Sequence, residues 1–515
     1  MTALAESQRS RRPLLEVLAV ELAPREGRWA AVARIAPGSA ITVAFVASML
    51  SSHLAVAQAP PSPDQPWAIP ESAISRAAAL GDTAITVPHK QYDLAALVDL
   101  AERQNPNTRA AWELAREAAA GIGLAESAYL PQLSLQAIGG YQHTPLPMPK
   151  GLVPAGYFIS ETREVIPALA LKWLLFDFGR RDAQLQAARA DSFVANVAFT
   201  GAHQKLIFEV SQAYFDLGAA RGKLHAAQKA LSTALTTQDA AVAKQTNGLA
   251  TVVAVAQAQR QTAQARYTLA AAEGAERTAR ANLIAALGVP AATEIDVVDS
   301  AELPLPPAPA ASVSKAVDQA LAHRPDVIAA LGKVDAAEAA LKGERRSYYP
   351  TIELAGQALQ NIGSLNSAGG GPYSKIDRPG QNIFLSFSVP LFDGGMRRNR
   401  ISMADAKARQ AEEQLAAARD SASQQVVRAY NGLLTSLAEY DAATALNQAA
   451  HTAYEAALRS YRQGVGTYTD LATEENAVVQ GDTQVEDARA NAHTAAAALA
   501  LSMGAIDVAG TGVTP

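Results

Sequence analysis

The chain has 515 residues, with Lys+Arg 44 against Asp+Glu 49 and a formal net charge of −5, so it lacks the basic surplus that marks a nucleic-acid binder. It contains no cysteine, which excludes zinc fingers, thiol catalysis, disulfide frameworks, iron–sulfur ligation and a lipid anchor on an N-terminal cysteine. Charged residues make up 18 % and aromatic residues 6 %, and an apolar half carried largely by alanine suits close helix packing better than a bulky core.

In chain order, residues 1–57 read as an N-terminal extension and a secretory signal. Arg28 and Arg34 flank a short apolar run at 40–50, and Ala55-Val56-Ala57 offers the A-x-A cleavage pattern before Gln58. A short buried helix is the alternative reading of that run, which is too short to cross a bilayer. Residues 58–91 read as a linker. Beyond it the chain repeats itself. Phe176-Asp177-Phe178-Gly179 returns as Phe392-Asp393-Gly394-Gly395, 216 residues later. The same offset relates Tyr214 to Tyr430, Gly248 to Gly464, Thr251 to Thr467 and Gly288 to Gly504. The repeats are expected over 92–301 and 313–504, joined by the proline-rich linker 302–312 and followed by a tail at 505–515.

Each repeat is expected to open with a helix, 108–129 or 327–348, stopped by a proline. A β-hairpin follows, at 131–176 and at 350–392. Leu133, Leu135, Ala137, Gly139 and Tyr141 alternate with Gln132, Ser134 and Gln136, and Ile352 and Leu354 alternate with Glu353. Gly- and Pro-containing stretches at 142–167 and 361–381 read as loops. The returning strands are expected at 168–176 and 382–392, where Ile383, Leu385, Phe387, Val389 and Leu391 share one face and Ser386 and Ser388 the other. Then the period changes. Leu206, Val210, Ala213, Leu217, Ala220, Leu224, Ala227, Leu231 and Ala234 follow the 4-3 spacing of a coiled-coil seam. Helical hairpins are expected at 180–288 and 396–503. Their long arms reach about 100 Å, and Gly248 and Gly464 break them at the far tips. The two shorter helices of each repeat nearly sum to the long one, so they are expected to stack end to end beside it.

Strands of about 9 to 12 residues have the length of a tilted membrane strand. Apolar residues on one face and Gln or Ser on the other suit lipid outside and water inside. Four strands cannot close a barrel, and an open edge in lipid leaves backbone groups unpaired. A membrane role therefore requires two, three or four copies. The alternative, a soluble α/β protein with hairpins packed on its helices, has no compact core to pack against.

This order of elements, given twice, resembles the TolC-like outer-membrane efflux family. The resemblance rests on Tyr129-Leu130-Pro131 and Tyr348-Tyr349-Pro350, on Leu175 through Gly179 and Pro390 through Gly395, and on Tyr461-Arg462-Gln463-Gly464-Val465-Gly466-Thr467-Tyr468-Thr469-Asp470-Leu471. It implies an α+β membrane protein of the outer membrane of a Gram-negative bacterium. The family fold is a homotrimer with a transmembrane β-barrel of four strands per chain and a long coiled-coil helical barrel in the periplasm. It also implies a periplasmic adaptor (membrane fusion) protein, an inner-membrane transporter and outer-membrane lipid as partners; the charge balance argues against nucleic acid, the scattered histidines show no metal-ligand spacing, and no cofactor is expected. The function implied is a passive duct for efflux or type I secretion. A periplasmic coiled-coil scaffold without a pore is the alternative. A periplasmic enzyme is disfavoured: the sequence shows no nucleotide motif, no Ser–His–Asp triad and no H-E-x-x-H among its eight histidines.

Asp177 and Asp393, where strand becomes helix, are expected to act as N-caps, with a cation site as the sharper alternative. Gly179, Gly394 and Gly395 allow the turn. Arg180, Arg181, Arg397 and Arg398 are left open between the lumen and lipid headgroups. Gly248, Thr251, Gly464 and Thr467 mark helix–helix turns, and the resemblance makes them the tips that meet the adaptor. The resemblance also makes Asp470, with Glu474 one turn on, an acidic ring at the periplasmic gate, where a solvated helix-face carboxylate is the alternative. By the same resemblance Tyr461 helps latch the entrance. Two departures make such a latch incomplete: Gly466 stands where a family arginine does, and Ala254 where a family aspartate does.

Overall fold

A computed structural model describes residues 71–79, 87–88, 90–366 and 372–506. The expected signal and extension at 1–57, most of the linker and most of the C-terminal tail lie outside these residues. The chain divides into two units, Met1–Thr83 and Ala84–Pro515. Within the first, the described residues form one helix, α1 (Glu71–Ala79).

The second unit is two rods of helix, one four-stranded sheet and one two-stranded sheet. Helices α2 (Leu94–Gln104) and α3 (Pro106–Ser127) lead into strands β2 (Gln132–Pro147) and β3 (Tyr157–Phe176), then α4 (Arg180–Thr246) and α5 (Val252–Leu287). The second repeat gives α6 (Val313–His323), α7 (Pro325–Arg346), β5 (Thr351–Asn366), β6 (Ser374–Ser388), α8 (Met396–Gln463) and α9 (Tyr468–Ser502). Two short parallel strands, β1 (Gln91–Tyr92) and β4 (Asp296–Val297), pair beside the first repeat.

Helices α2 and α6 are additions to the expected plan. Each has only 11 residues and stops two residues before a proline, because the residue preceding proline is driven out of the helical region. The expected seam on α4 is buried throughout except Leu224 and Leu231, which are half-buried. Its middle joins Tyr92, Leu97, Val98, Leu283 and Leu287 in the largest hydrophobic core.

The short helices do stack beside the long ones. Both α3 and α5 pack along α4, and both α7 and α9 pack along α8. The stacking joints are explicit. Gly288 (φ 70°) closes α5 against Asn105 at the start of α3, where an added Cβ would lie 2.7 Å from the Asn105 Cα. Asn105 Nδ2 donates to the Ala286 carbonyl oxygen at 3.0 Å. In the second repeat, Gly504 (φ 69°) would place a Cβ 2.8 Å from the His323 oxygen, and Arg324 Nη1 donates to the Ser502 oxygen at 3.0 Å. Only glycine fits a left-handed turn this close to another backbone.

The strands run in the order β2-β3-β5-β6, each antiparallel to its neighbour. They are 15 to 20 residues long, so the expectation of loops at 142–167 and 361–381 is corrected. Residues 142–147 pair with 157–162, and 361–365 with 374–378. Ladder hydrogen bonds decide this, because a neighbouring strand satisfies backbone groups that local composition alone assigns to a loop. The last strand also ends at Ser388 rather than at 392.

Directly opposed residues share a face. The register therefore gathers Leu133, Leu135, Leu169, Leu171, Leu354, Ile383, Leu385 and Phe387 on one face and Gln132, Ser134, Gln136, Glu353, Gln357 and Ser386 on the other. Along the apolar face the band runs from Ile352 to Ile362. Ten rises of about 3.3 Å, tilted by about 40°, give a height of roughly 25 Å.

Candidate functional site

Two places concentrate polar chemistry: the turns where strand becomes helix, and the far tips of the helical hairpins. At the turns the N-cap positions belong to Gly179 (φ 89°) and Gly395 (φ 88°), not to the aspartates expected there. The left-handed glycine folds the chain back, so a carboxylate two residues upstream reaches the free N–H groups. Asp177 accepts from Gly179 N at 3.2 Å and from Arg181 N at 2.8 Å. Asp393 accepts from Gly395 N at 3.1 Å and from Arg397 N at 3.0 Å.

Two of the arginines left open by the sequence face neither lumen nor headgroups. Arg181 and Arg397 are buried. Arg181 Nε donates to Asp177, its Nη atoms donate to the carbonyls of Ala128, Leu174 and Leu175, and its guanidinium lies 4.6 Å from the Tyr129 ring centre. Arg397 Nε donates to Asp393 at 2.6 Å, and its guanidinium lies over Tyr348 at 4.8 Å. Arg181 thus binds the end of a strand to the start of a rod, and Arg397 ties the turn at Asp393 to the start of its rod. Within the four-residue turn the repeats differ at one position: Phe178 holds φ 55° where Gly394 holds φ 67°. A left-handed non-glycine residue costs roughly 1–2 kcal/mol, and Phe178 offsets this by packing edge-on to Phe176 and stacking on Tyr349.

At the tips, Gly248 (φ 73°) and Gly464 (φ 81°) reverse the chain. Thr251 Oγ1 accepts from Ala254 N at 3.2 Å. Thr467 does more: its Oγ1 accepts from Asp470 N at 3.1 Å, while Asp470 Oδ2 accepts from Thr467 N at 3.2 Å, a reciprocal capping box. The Thr467 hydroxyl and amide hold the exposed Asp470 carboxyl below the usual carboxylate range. Glu474 is half-buried one turn on. Gly466 is confined, because an added Cβ would lie 3.0 Å from Ser460 Cβ and 3.2 Å from Tyr461 N.

The two tips meet in one cluster. Ala241, Val255 and Ala258 of the first repeat pack with Tyr461, Tyr468 and Leu471 of the second. Lys244 Nζ donates to the Tyr461 carbonyl oxygen at 2.7 Å and lies 3.8 Å from that ring's centre. Gln261 Nε2 donates to Asn476 Oδ1 at 2.8 Å. Tyr461 is buried, and its hydroxyl has no hydrogen-bond partner among the described residues.

Sequence reasoning missed Lys244 and Glu475. Glu475 is 4 % exposed, Oε2 has no partner among the described residues, and burial pushes the carboxyl up to about 7. Burial first, and then the Glu475 charge, push the Tyr468 phenol up to about 12. The signal was present: Leu471, Glu475 and Val478 are all buried at 4-3 spacing, which puts a carboxylate on a seam position. Nothing local marks Lys244, whose partner is 217 residues away. Among the described residues no group of His, Asp and Glu is arranged to hold a metal ion, and no helix is long and apolar enough to cross a membrane.

A family model for outer membrane efflux proteins matches residues 97–289 and 316–505. Protein CyaE of Bordetella pertussis is 32 % identical over 356 residues, covering 68 % of this chain and 71 % of that protein. Among solved structures, CusC superposes with a TM-score of 0.67 at 20 % identity, covering 82 % of this chain and 95 % of CusC. VceC of Vibrio cholerae gives 0.64 at 20 % identity, covering 80 % and 96 %.

Proposed function

The chain belongs to the outer membrane efflux protein family, and from that premise we propose how this outer-membrane channel, with its large periplasmic portion, closes its wall and is gated. Three copies join β6 of one chain to β2 of the next and complete a barrel of twelve strands, four from each. The helical rods continue the barrel as a tunnel through the periplasm. The observation that carries this reading is the sheet itself. It exposes an apolar face about 25 Å tall, and within the chain both β2 and β6 pair on one side only. An open edge cannot persist in lipid.

At the far end the tips form the periplasmic entrance. Asp470 stays ionised at ordinary pH, and three copies around an axis make an acidic constriction extended by Glu474 and braced by Tyr461. Gly248, Thr251, Gly464 and Thr467 shape the surface that meets a periplasmic adaptor, through which an inner-membrane transporter delivers substrate. The exposure of Leu249, Val252, Val253 and Val465 beside these turns supports that role, since apolar side chains clustered in the open mark a binding surface.

The test is the protein mass of the detergent-extracted particle by light scattering. Three chains per particle are expected, and a soluble monomer overturns the reading. In planar bilayers, Asp470→Asn is expected to reduce cation preference, whereas unchanged selectivity would remove Asp470 from the gate.

A further inference from the structure

The apolar face of the sheet changes character at the end farthest from the helices. The register sets Gly139, Val165, Ile362 and Asp377 in one row, and Tyr141, Arg163, Ser364 and Lys375 in the next. His143, Glu161 and Asn366 form the row beyond. All share the face of Leu133 and Leu169. The band thus ends in a belt holding Tyr141, with Tyr373 beside it, the residue type that settles at membrane headgroups.

Within this belt the carboxylates are occupied and the cations are not. Glu161 accepts from the Tyr373 hydroxyl at 2.6 Å and lies 3.1 Å from His143 Nδ1. Asp377 accepts from Gln360 Nε2 at 2.6 Å. Arg163 has its guanidinium carbon 5.6 Å from the Tyr141 ring centre and 5.1 Å from that of Tyr373, so two aromatic faces hold it in place. Arg163 and Lys375 are both exposed, and neither side chain makes a hydrogen bond or ion pair to any described residue. They stand two strands apart, roughly 10 Å. A fixed guanidinium fork with unspent donors matches phosphate oxygens, and the band below offers a bed for acyl chains.

We propose that Arg163 and Lys375 bind the phosphorylated headgroup of an outer-leaflet lipid, whose chains lie against Val165, Ile362 and Leu169. The inference rests on the outward assignment of this face under the proposed function. The lipid seals the rim of the barrel and sets its depth in the membrane.

The test uses the full-length channel in non-ionic detergent, titrated with diphosphoryl lipid A and followed by native mass spectrometry. Wild type and Arg378→Gln, whose side chain lies on the opposite face, are expected to retain the lipid alike. Arg163→Gln combined with Lys375→Gln is expected to weaken binding about thirtyfold, at roughly fivefold for each basic side chain beside a charged lipid surface. An unweakened double variant overturns the proposal, and so does competition by inorganic phosphate at millimolar concentration, which would make this a free-anion site. Loss of binding in Arg378→Gln instead would show that the other face meets lipid, and would count against the barrel reading rather than the headgroup chemistry. An unchanged particle mass for each variant confirms that it folds.

Discussion

At the first tip Gly248 turns the chain and Thr251 caps α5; at the second, Gly464 and Thr467 do the same for α9. The backbone paths agree because each depends on a left-handed glycine and a hydroxyl, both of which the repeat preserves. The side chains do not agree. Tyr461, Tyr468, Asp470 and Glu475 stand where the first repeat has Gln245, Val252, Ala254 and Gln259. The second tip supplies the aromatic and acidic chemistry, and the first supplies small residues and Lys244 to receive it. The repeat thus keeps the backbone of the tips while their side chains differ, so each chain presents two kinds of tip.

The sharpest test of that asymmetry is a core truncation. Leu471 is fully buried in the tip cluster, and its repeat partner is Val255. Leu471→Ala is expected to cost about 2–5 kcal/mol, and Val255→Ala about 1.5 kcal/mol for its two methyl groups. Amide hydrogen exchange over the tips reads both, and equal effects would break the comparison.

Next is the buried carboxylate. Because Glu475 titrates near 7 in the fold against an ordinary 4.5, the folded tip holds its proton more tightly than the open one does. Tip protection is therefore expected to fall as pH rises from about 4.5 to about 7 and to level off above. Glu475→Gln should flatten that profile, while Gln259→Glu, at the exposed equivalent position, should not create one. A wild-type profile with no slope in that window refutes the assignment.

Gly464→Ala and Gly248→Ala are expected to cost about 1–2 kcal/mol each, alike at the two tips because the backbone is alike. Smallest is the cap. Thr467→Ala should lose about 1 kcal/mol and Thr251→Ala somewhat less, since only Thr467 is in a reciprocal box. Equal losses, by the same exchange measurement, would show that the Asp470 half of the box contributes nothing.

Much of this architecture is local in origin. The repeat offset, the change from period two to period 3.6 and the punctuating glycines and prolines determined the order of elements, the two rods and the position of each tip, because each is a property of nearby backbone. Asp177 and Asp393 were recognisable as capping carboxylates for the same reason, though not their displacement from the cap position. The tertiary structure decided what depends on distant partners. Residues 142–147 and 157–167 are strand because they pair with each other and with β5. Arg181 is buried because three carbonyls from other elements receive it. Lys244 joins the tip cluster only where Tyr461 meets it. Sequence periodicity reports which face a side chain takes; which groups wait on the other side is settled by packing.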